Sequence, residues 1–160
     1  MATRLVGAGG ALMYQRILVP VDGSECADRG LSEAMSMARL TGGRLRLVHV
    51  IDEPFAALGS AGAIGASADL ISLAREAAQQ ILADASAKVR SAGIAVDSVL
   101  LDTFDGRLCD LIVDEAKRSS SELLVLGTHG RRGASRFLLG SDAEQIVRVS
   151  PVPVLLVRCG

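Results

Sequence analysis

The chain has 160 residues, of which 49% are hydrophobic, and this length and composition suit one domain with a single buried core. Its 17 Lys and Arg residues nearly balance its 18 Asp and Glu residues, which argues against a protein that binds nucleic acid or a membrane surface. Aromatic residues make up 2% of the chain and no apolar run is long enough to span a bilayer, which disfavours base stacking and a membrane anchor. We expect a cytoplasmic protein with a flexible leader at residues 1–13 and one domain over residues 14–160.

The cysteines give little sign of a disulfide framework. Cys26, Cys109 and Cys159 are far apart in sequence, odd in number and without a C-x-x-C pair. This spacing argues against both a set of structural disulfides and a zinc cluster. We expect three buried free thiols.

The first predicted unit is a strand followed by a helix. Residues 16–21 form a β-branched apolar run that is typical of a strand, and a turn over residues 22–24 follows it. Ser24 is a suitable N-cap for the next segment, in which apolar residues recur at helical spacing. Gly42 stands where a left-handed residue would end that helix.

The same alternation continues along the chain. Further strands are predicted over residues 45–50, 95–101, 122–126 and 151–157, and further helices over residues 70–89, 108–117 and 141–149. Residues 51–67 form a long connection rich in Gly, Ala and Ser, and His49 is predicted to be a hydrogen-bonded core residue. Because the strands are apolar on both faces, we expect a doubly wound parallel sheet with helices on both sides. A ligand would then bind outside the carboxyl ends of the strands.

A glycine-rich segment follows the fourth predicted strand and leads into the fourth predicted helix. Its spacing is glycine, two residues, glycine, nine residues, then glycine and serine, filled by Gly127, Gly130, Gly140 and Ser141. Glycines let the backbone turn its N–H groups toward one point, and a helix start adds unpaired N–H groups and the positive end of the helix dipole. This arrangement predicts a phosphate site.

With this motif, residues 14–158 resemble the universal stress protein family. The resemblance includes the opening residues 17–24, the strand residues 47–50 and the closing residues 151–158. It implies a five-stranded sheet in the order 3-2-1-4-5 and binding of ATP, or of AMP or ADP, with Mg²⁺ held mainly by the phosphates. It also implies a homodimer that pairs through the last strand.

The resemblance also implies which residues contact the nucleotide. On the nucleoside side these are Pro20, Val21, Asp22 and Val50, with Asp22 at the ribose hydroxyls and the Val50 backbone at adenine. On the side of the ribose and phosphates they are Gly127, Gly130, Arg131, Gly140 and Ser141. Asp142 departs from the family pattern, which has an aliphatic residue there, and Glu144 adds a second carboxylate in the same helical turn.

The sequence leaves several functions to compare. A regulatory or stress-response protein that binds ATP with little or no hydrolysis fits the motif, because no Walker A lysine or arranged base is present. A dinucleotide-dependent oxidoreductase would need G-x-G-x-x-G after the first strand, where this chain has Asp22, Gly23 and Ser24. A phosphoacceptor receiver domain would need an acidic pair after that strand, and here Asp22 is followed by Gly23 instead of a second acid. A nucleotide-free interaction protein that acts through dimerisation remains the alternative if Asp142 and Glu144 block the phosphates.

Overall fold

A computed structural model describes residues 13–51, 64–102, 106–128 and 140–159. For residues 64–70 it describes the backbone only. The predicted leader up to residue 12 and residues 52–63 of the predicted connection lie outside the described residues. The elements are β1 (Arg16–Pro20), α1 (Glu25–Thr41), β2 (Arg44–Ile51), α2 (Ile64–Ser91), β3 (Val96–Asp102), α3 (Leu108–Arg118), β4 (Leu123–Gly127), α4 (Ser141–Val149) and β5 (Val154–Val157). None of these helices is both long enough and apolar enough to cross a membrane.

The five strands form one parallel sheet in the order β3-β2-β1-β4-β5. This confirms the predicted fold class and strand order. Two predicted boundaries were wrong. Helix α2 begins at Ile64, inside the predicted connection, because its Ala- and Ser-rich first turns are compatible with a helix. Strand β5 begins only at Val154, since the hydroxyl of Ser150 bonds the backbone of Val152 and holds a turn ahead of the strand.

The sheet separates two apolar layers, as expected of a doubly wound fold. On one side α1 and α2 pack against the sheet around Ile17, Val19, Leu31, Leu47, Val89 and Val125. On the other side α3 and α4 pack around Leu18, Val48, Ile112, Leu124 and Ile146. Alternate residues of β1 therefore enter opposite layers, which is why this strand is apolar from Ile17 onward.

The caps of α1 follow the sequence prediction. The Ser24 hydroxyl accepts a hydrogen bond from the Ala27 N–H at 3.1 Å, and Gly42 adopts φ +70° at the end of the helix. The start of α1 lies directly against the end of β4, where Gly30 faces Gly127 without side chains between them. The segment after β1 is thereby placed beside the segment after β4.

A buried carboxylate lies among charged residues at the amino ends of the strands. Glu115 of α3 is 0% exposed, and its Oε1 accepts from Nε and Nη2 of Arg46, both at 2.9 Å. Arg46 also donates to Asp97 at 3.0 Å, and Arg118 pairs with the second oxygen of Glu115. Burial acts to lower the pKa of Arg46, but its hydrogen bonds and charge attraction to Asp97 and Glu115 outweigh burial and raise that pKa.

Candidate functional site

A cavity of about 420 Å³ lies at the carboxyl ends of β1, β2 and β4 and at the start of α4. This volume is in the range of small-molecule sites, and the position is where parallel sheets bind ligands. Seven of the nine predicted site residues line it: Pro20, Val21, Asp22, Val50, Gly127, Gly140 and Ser141. The other two, Gly130 and Arg131, lie outside the described residues.

The turn between β1 and α1 forms one wall of the cavity and is held by hydrogen bonds. The Val21 N–H donates to the Val48 carbonyl at 2.9 Å, and the Val21 carbonyl lies 2.6 Å from Nδ1 of His49. Because a carbonyl only accepts, Nδ1 of His49 must carry the proton. Asp22 Oδ1 accepts from the Ser24 N–H at 2.9 Å, which orients the half-buried carboxylate. His49 is thus a hydrogen-bonded core residue, as predicted, and it also supports the cavity wall.

The two ends of the glycine-rich segment are tied to each other. The Gly140 N–H donates to the Thr128 carbonyl at 2.9 Å, and the Thr128 N–H donates to the Val157 carbonyl of β5 at 2.9 Å. Gly140 is the N-cap of α4 and has no side chain with which to cap the helix. The first N–H groups of a helix have no partner within the helix. Those of α4 begin at Ser141, on the cavity wall, and offer a site for an anion.

The two carboxylates at the start of α4 differ in position. Asp142 is exposed and lines the cavity. Glu144 does not line the cavity, and it forms an ion pair with Arg148 at 2.7 Å. Of these two carboxylates, Asp142 is therefore the one placed to repel an anion at the start of α4.

The remaining cavity wall is aliphatic, and sequence reasoning missed much of it. Helix α2 supplies Ala74, Ala77, Ala78 and Ile81, and α3 supplies Leu108 and Ile112. Helical periodicity predicted α2 but gave no sign that this helix passes over the strand ends. No Phe, Tyr or Trp side chain belongs to the described cavity wall. Within residues 13–51, 64–102, 106–128 and 140–159, no group of three or more His, Cys, Asp or Glu side chains is placed to hold a metal ion.

The prediction of three free thiols was wrong for two cysteines. Cys26 and Cys159 form a disulfide with their Cα atoms 5.3 Å apart, whereas Cys109 is a buried thiol as expected. The pair is separated by 133 residues, and it meets because β5 lies beside β4 and the start of α1 packs on the end of β4. Disulfide connectivity of this kind cannot be deduced from sequence spacing.

Comparison with known proteins gives consistent matches. A model described as the universal stress protein family matches residues 13–158. Universal stress protein MJ0531 of Methanocaldococcus jannaschii is 30% identical over 151 residues, covering 93% of this chain and 85% of that protein. The solved structure of MJ0577, from the same organism, is 26% identical with a TM-score of 0.80 and covers 92% of this chain and 98% of that one. A universal stress protein from Archaeoglobus fulgidus, solved in complex with dAMP, is 26% identical with a TM-score of 0.64. The match covers 91% of this chain and 99% of that one.

Proposed function

Because the chain belongs to the universal stress protein family, we propose that it is a regulatory or stress-response protein that binds an adenine nucleotide, with ATP as its preferred ligand. The observation that carries this proposal is that seven of the residues implied by the resemblance line one cavity of about 420 Å³. The Archaeoglobus fulgidus relative solved with dAMP supports an adenine nucleotide as the ligand class. The proposed compartment is the cytoplasm.

The proposal assigns each wall of the cavity to one part of the ligand. Adenine would lie beside the Val50 backbone and the aliphatic side chains of α2, and Asp22 would bind the ribose hydroxyls. The phosphates would lie at Gly127, at Gly140 and at the N-terminus of α4, where Ser141 adds a hydroxyl donor. Gly130 and Arg131 would complete this side. A bound Mg²⁺ would be held mainly by the phosphates.

The described cavity wall favours binding over hydrolysis. Its ionisable side chains are Asp22, His49 and Asp142. Asp22 and His49 are engaged in hydrogen bonds that hold the β1–α1 turn. Asp142 is exposed at the start of a helix. We therefore propose a switch in which nucleotide occupancy, rather than turnover, changes what a protein partner meets.

Thermal unfolding with and without nucleotide tests this proposal. A concentration of Mg-ATP about 100-fold above Kd should stabilise the protein by about 2.7 kcal/mol, which corresponds to a rise in Tm of about 5–11 °C. GTP at the same concentration serves as the control for base specificity. Because the chain has one Tyr and no Trp, copurified adenine would dominate its ultraviolet spectrum. If millimolar ATP neither shifts Tm nor copurifies, the protein is instead a nucleotide-free interaction protein of the same fold.

The two carboxylates of α4 provide a matched pair of variants. Asp142→Asn should tighten ATP binding about fivefold, because it removes a negative charge near the phosphates that costs about 1 kcal/mol at the surface. Glu144→Gln should leave the affinity unchanged, since Glu144 lies outside the cavity wall and pairs with Arg148. Isothermal titration calorimetry measures both. Equal affinities for Asp142→Asn and the parent would show that the phosphates do not approach the start of α4.

The proposal also includes a homodimer that pairs through β5. Strand β5 is the edge of the sheet next to β4, and all four of its residues are partly exposed in the single chain. Edge strands with such apolar side chains commonly pair with another chain. Leu156 also packs partly against the layer of α3 and α4, so Leu156→Lys should lower Tm as well as convert the dimer to a monomer in sedimentation experiments, with circular dichroism showing that the monomer is folded. Leu40→Lys, at an apolar side chain that is 80% exposed in α1, is the control and should leave the dimer intact. A folded Leu156→Lys dimer would contradict pairing through β5.

A further inference from the structure

The Cys26–Cys159 disulfide joins two segments that flank the candidate site. Cys26 is in the first turn of α1, directly after the turn that carries Asp22, and Cys159 follows β5. The Cα separation of 5.3 Å lies within the usual range for a disulfide, so the backbone already holds the pair at bonding distance. The bond therefore ties the edge strand to the wall of the cavity.

Thr128 connects this disulfide to the glycine-rich segment. Its hydroxyl oxygen lies 3.9 Å from Sγ of Cys26 and 3.8 Å from Sγ of Cys159. Its N–H bonds the Val157 carbonyl, and its carbonyl accepts from the Gly140 N–H. Thr128 also lines the cavity. One residue thus contacts both sulfurs and is bonded to both β5 and the N-cap of α4.

We propose that Cys26 and Cys159 form a thiol–disulfide exchange site whose oxidised state holds the two ends of the glycine-rich segment in position for an anionic ligand. This inference rests on the proposed function for the identity of that ligand, an adenine nucleotide. A preformed site does not lose the conformational freedom of these segments on binding, so the oxidised protein binds more tightly. Thermodynamic linkage requires the converse, namely that the nucleotide stabilises the disulfide by the same factor.

The exchange partner is a low-molecular-weight disulfide of the glutathione class. Cys159 is partly exposed, whereas Cys26 is 5% exposed, so Cys159 is the sulfur that reacts first. Its thiolate attacks the external disulfide, a mixed disulfide forms and one small thiolate leaves. The Cys26 thiolate then attacks the Cys159 sulfur and expels the second small thiolate. Two protein thiols are oxidised by two electrons, the external disulfide is reduced to two thiols, and the protons pass to the leaving thiolates.

Titration of the full chain with ATP in glutathione buffers tests the proposal. Alkylation and mass measurement count the thiols, with one expected in the oxidised protein and three in the reduced protein, since the chain has three cysteines. The oxidised protein should bind ATP at least about fivefold more tightly, which corresponds to a shift of about 20 mV in the reduction midpoint when ATP is present. Cys159→Ser should bind like the reduced protein in both buffers. Cys109→Ser, at a thiol outside the cavity wall, should keep the full difference.

The outcomes separate this inference from the proposed function. Equal ATP affinities for oxidised and reduced protein would overturn the coupling and leave nucleotide binding in place. Three alkylated thiols in the oxidising buffer would overturn the exchange site itself. ATP binding in neither state, with the disulfide formed, would overturn the proposed function and the coupling together while the thiol count still establishes the pair.

Discussion

Arg46→Met is expected to lower the free energy of unfolding by about 3–5 kcal/mol, because it leaves a fully buried carboxylate without its main partner. Glu115 is 0% exposed and receives two contacts of 2.9 Å from Arg46. The remaining cation, Arg118, has a side chain that is 64% exposed and cannot replace these buried hydrogen bonds. Chemical denaturation measures the change, with circular dichroism in the absence of denaturant to show that the variant folds.

Two further variants isolate the cause. Arg29→Met breaks the exposed ion pair with Glu25 in α1 and should cost at most about 1 kcal/mol. Combining Arg46→Met with Glu115→Leu removes the buried carboxylate together with its partner and should recover most of the loss, because apolar residues of similar size often replace an ion pair with a buried member at little cost. A single Arg46→Met variant as stable as Arg29→Met would show that Glu115 is not stabilised by Arg46. If the double variant is no more stable than Arg46→Met alone, the loss of stability comes from packing rather than from the unpaired carboxylate.

The fold could be predicted because each of its local signals acts over a few residues. Ser24 and Gly42 mark the ends of α1 by hydrogen bonding and by a left-handed backbone, and both signals are visible in the sequence. The apolar character of β1 on both faces indicated helices on both sides of the sheet, and the packing of Ile17 in one apolar layer and of Leu18 in the other confirms this. The strand order came from resemblance to a family rather than from these signals.

The parts that sequence reasoning missed depend on contacts between distant segments. The disulfide requires Cys26 and Cys159 to meet across three elements, and nothing in their spacing encodes this. The aliphatic wall supplied by Ala74, Ala78 and Ile81 depends on where α2 crosses the sheet. Hydrophobic periodicity shows which face of a helix is buried but not what lies beneath that face.

The positions of the two acidic residues of α4 could be predicted only in part. Residues two apart on a helix point in different directions, so Asp142 and Glu144 do not project alike from α4. Helical geometry predicts this difference, but the choice of which carboxylate faces the cavity required the position of α4 on the sheet. The structure assigns Asp142 to the cavity wall and Glu144 to an ion pair with Arg148.

The contact between α1 and β4 leads to the second large expected effect. Gly127→Ala should destabilise the protein by about 3 kcal/mol, at the upper end of the usual cost of overpacking. A Cβ atom at this position would lie 2.7 Å from the carbonyl oxygen and 2.8 Å from the carbonyl carbon of Cys26. These are backbone atoms of a capped helix, so no side chain can rotate away and the start of α1 must move. The expected fall in Tm is about 6–12 °C in calorimetry.

Gly30→Ala is the matched control for Gly127→Ala, since it adds the same methyl group to the opposite side of this contact. Its Cβ would lie 3.2 Å from the Gly127 nitrogen, which requires a shift of a few tenths of an ångström, and Ala gains about 1 kcal/mol over Gly within a helix. Gly30→Ala should therefore change Tm much less than Gly127→Ala. Because the moved helix carries Cys26 and follows the turn at Asp22, Gly127→Ala should also weaken ATP binding, whereas Gly30→Ala should not. A loss of stability for Gly127→Ala as small as the one expected for Gly30→Ala would show that the end of β4 yields to added volume, and that the close approach at Gly127 does not position the cavity wall.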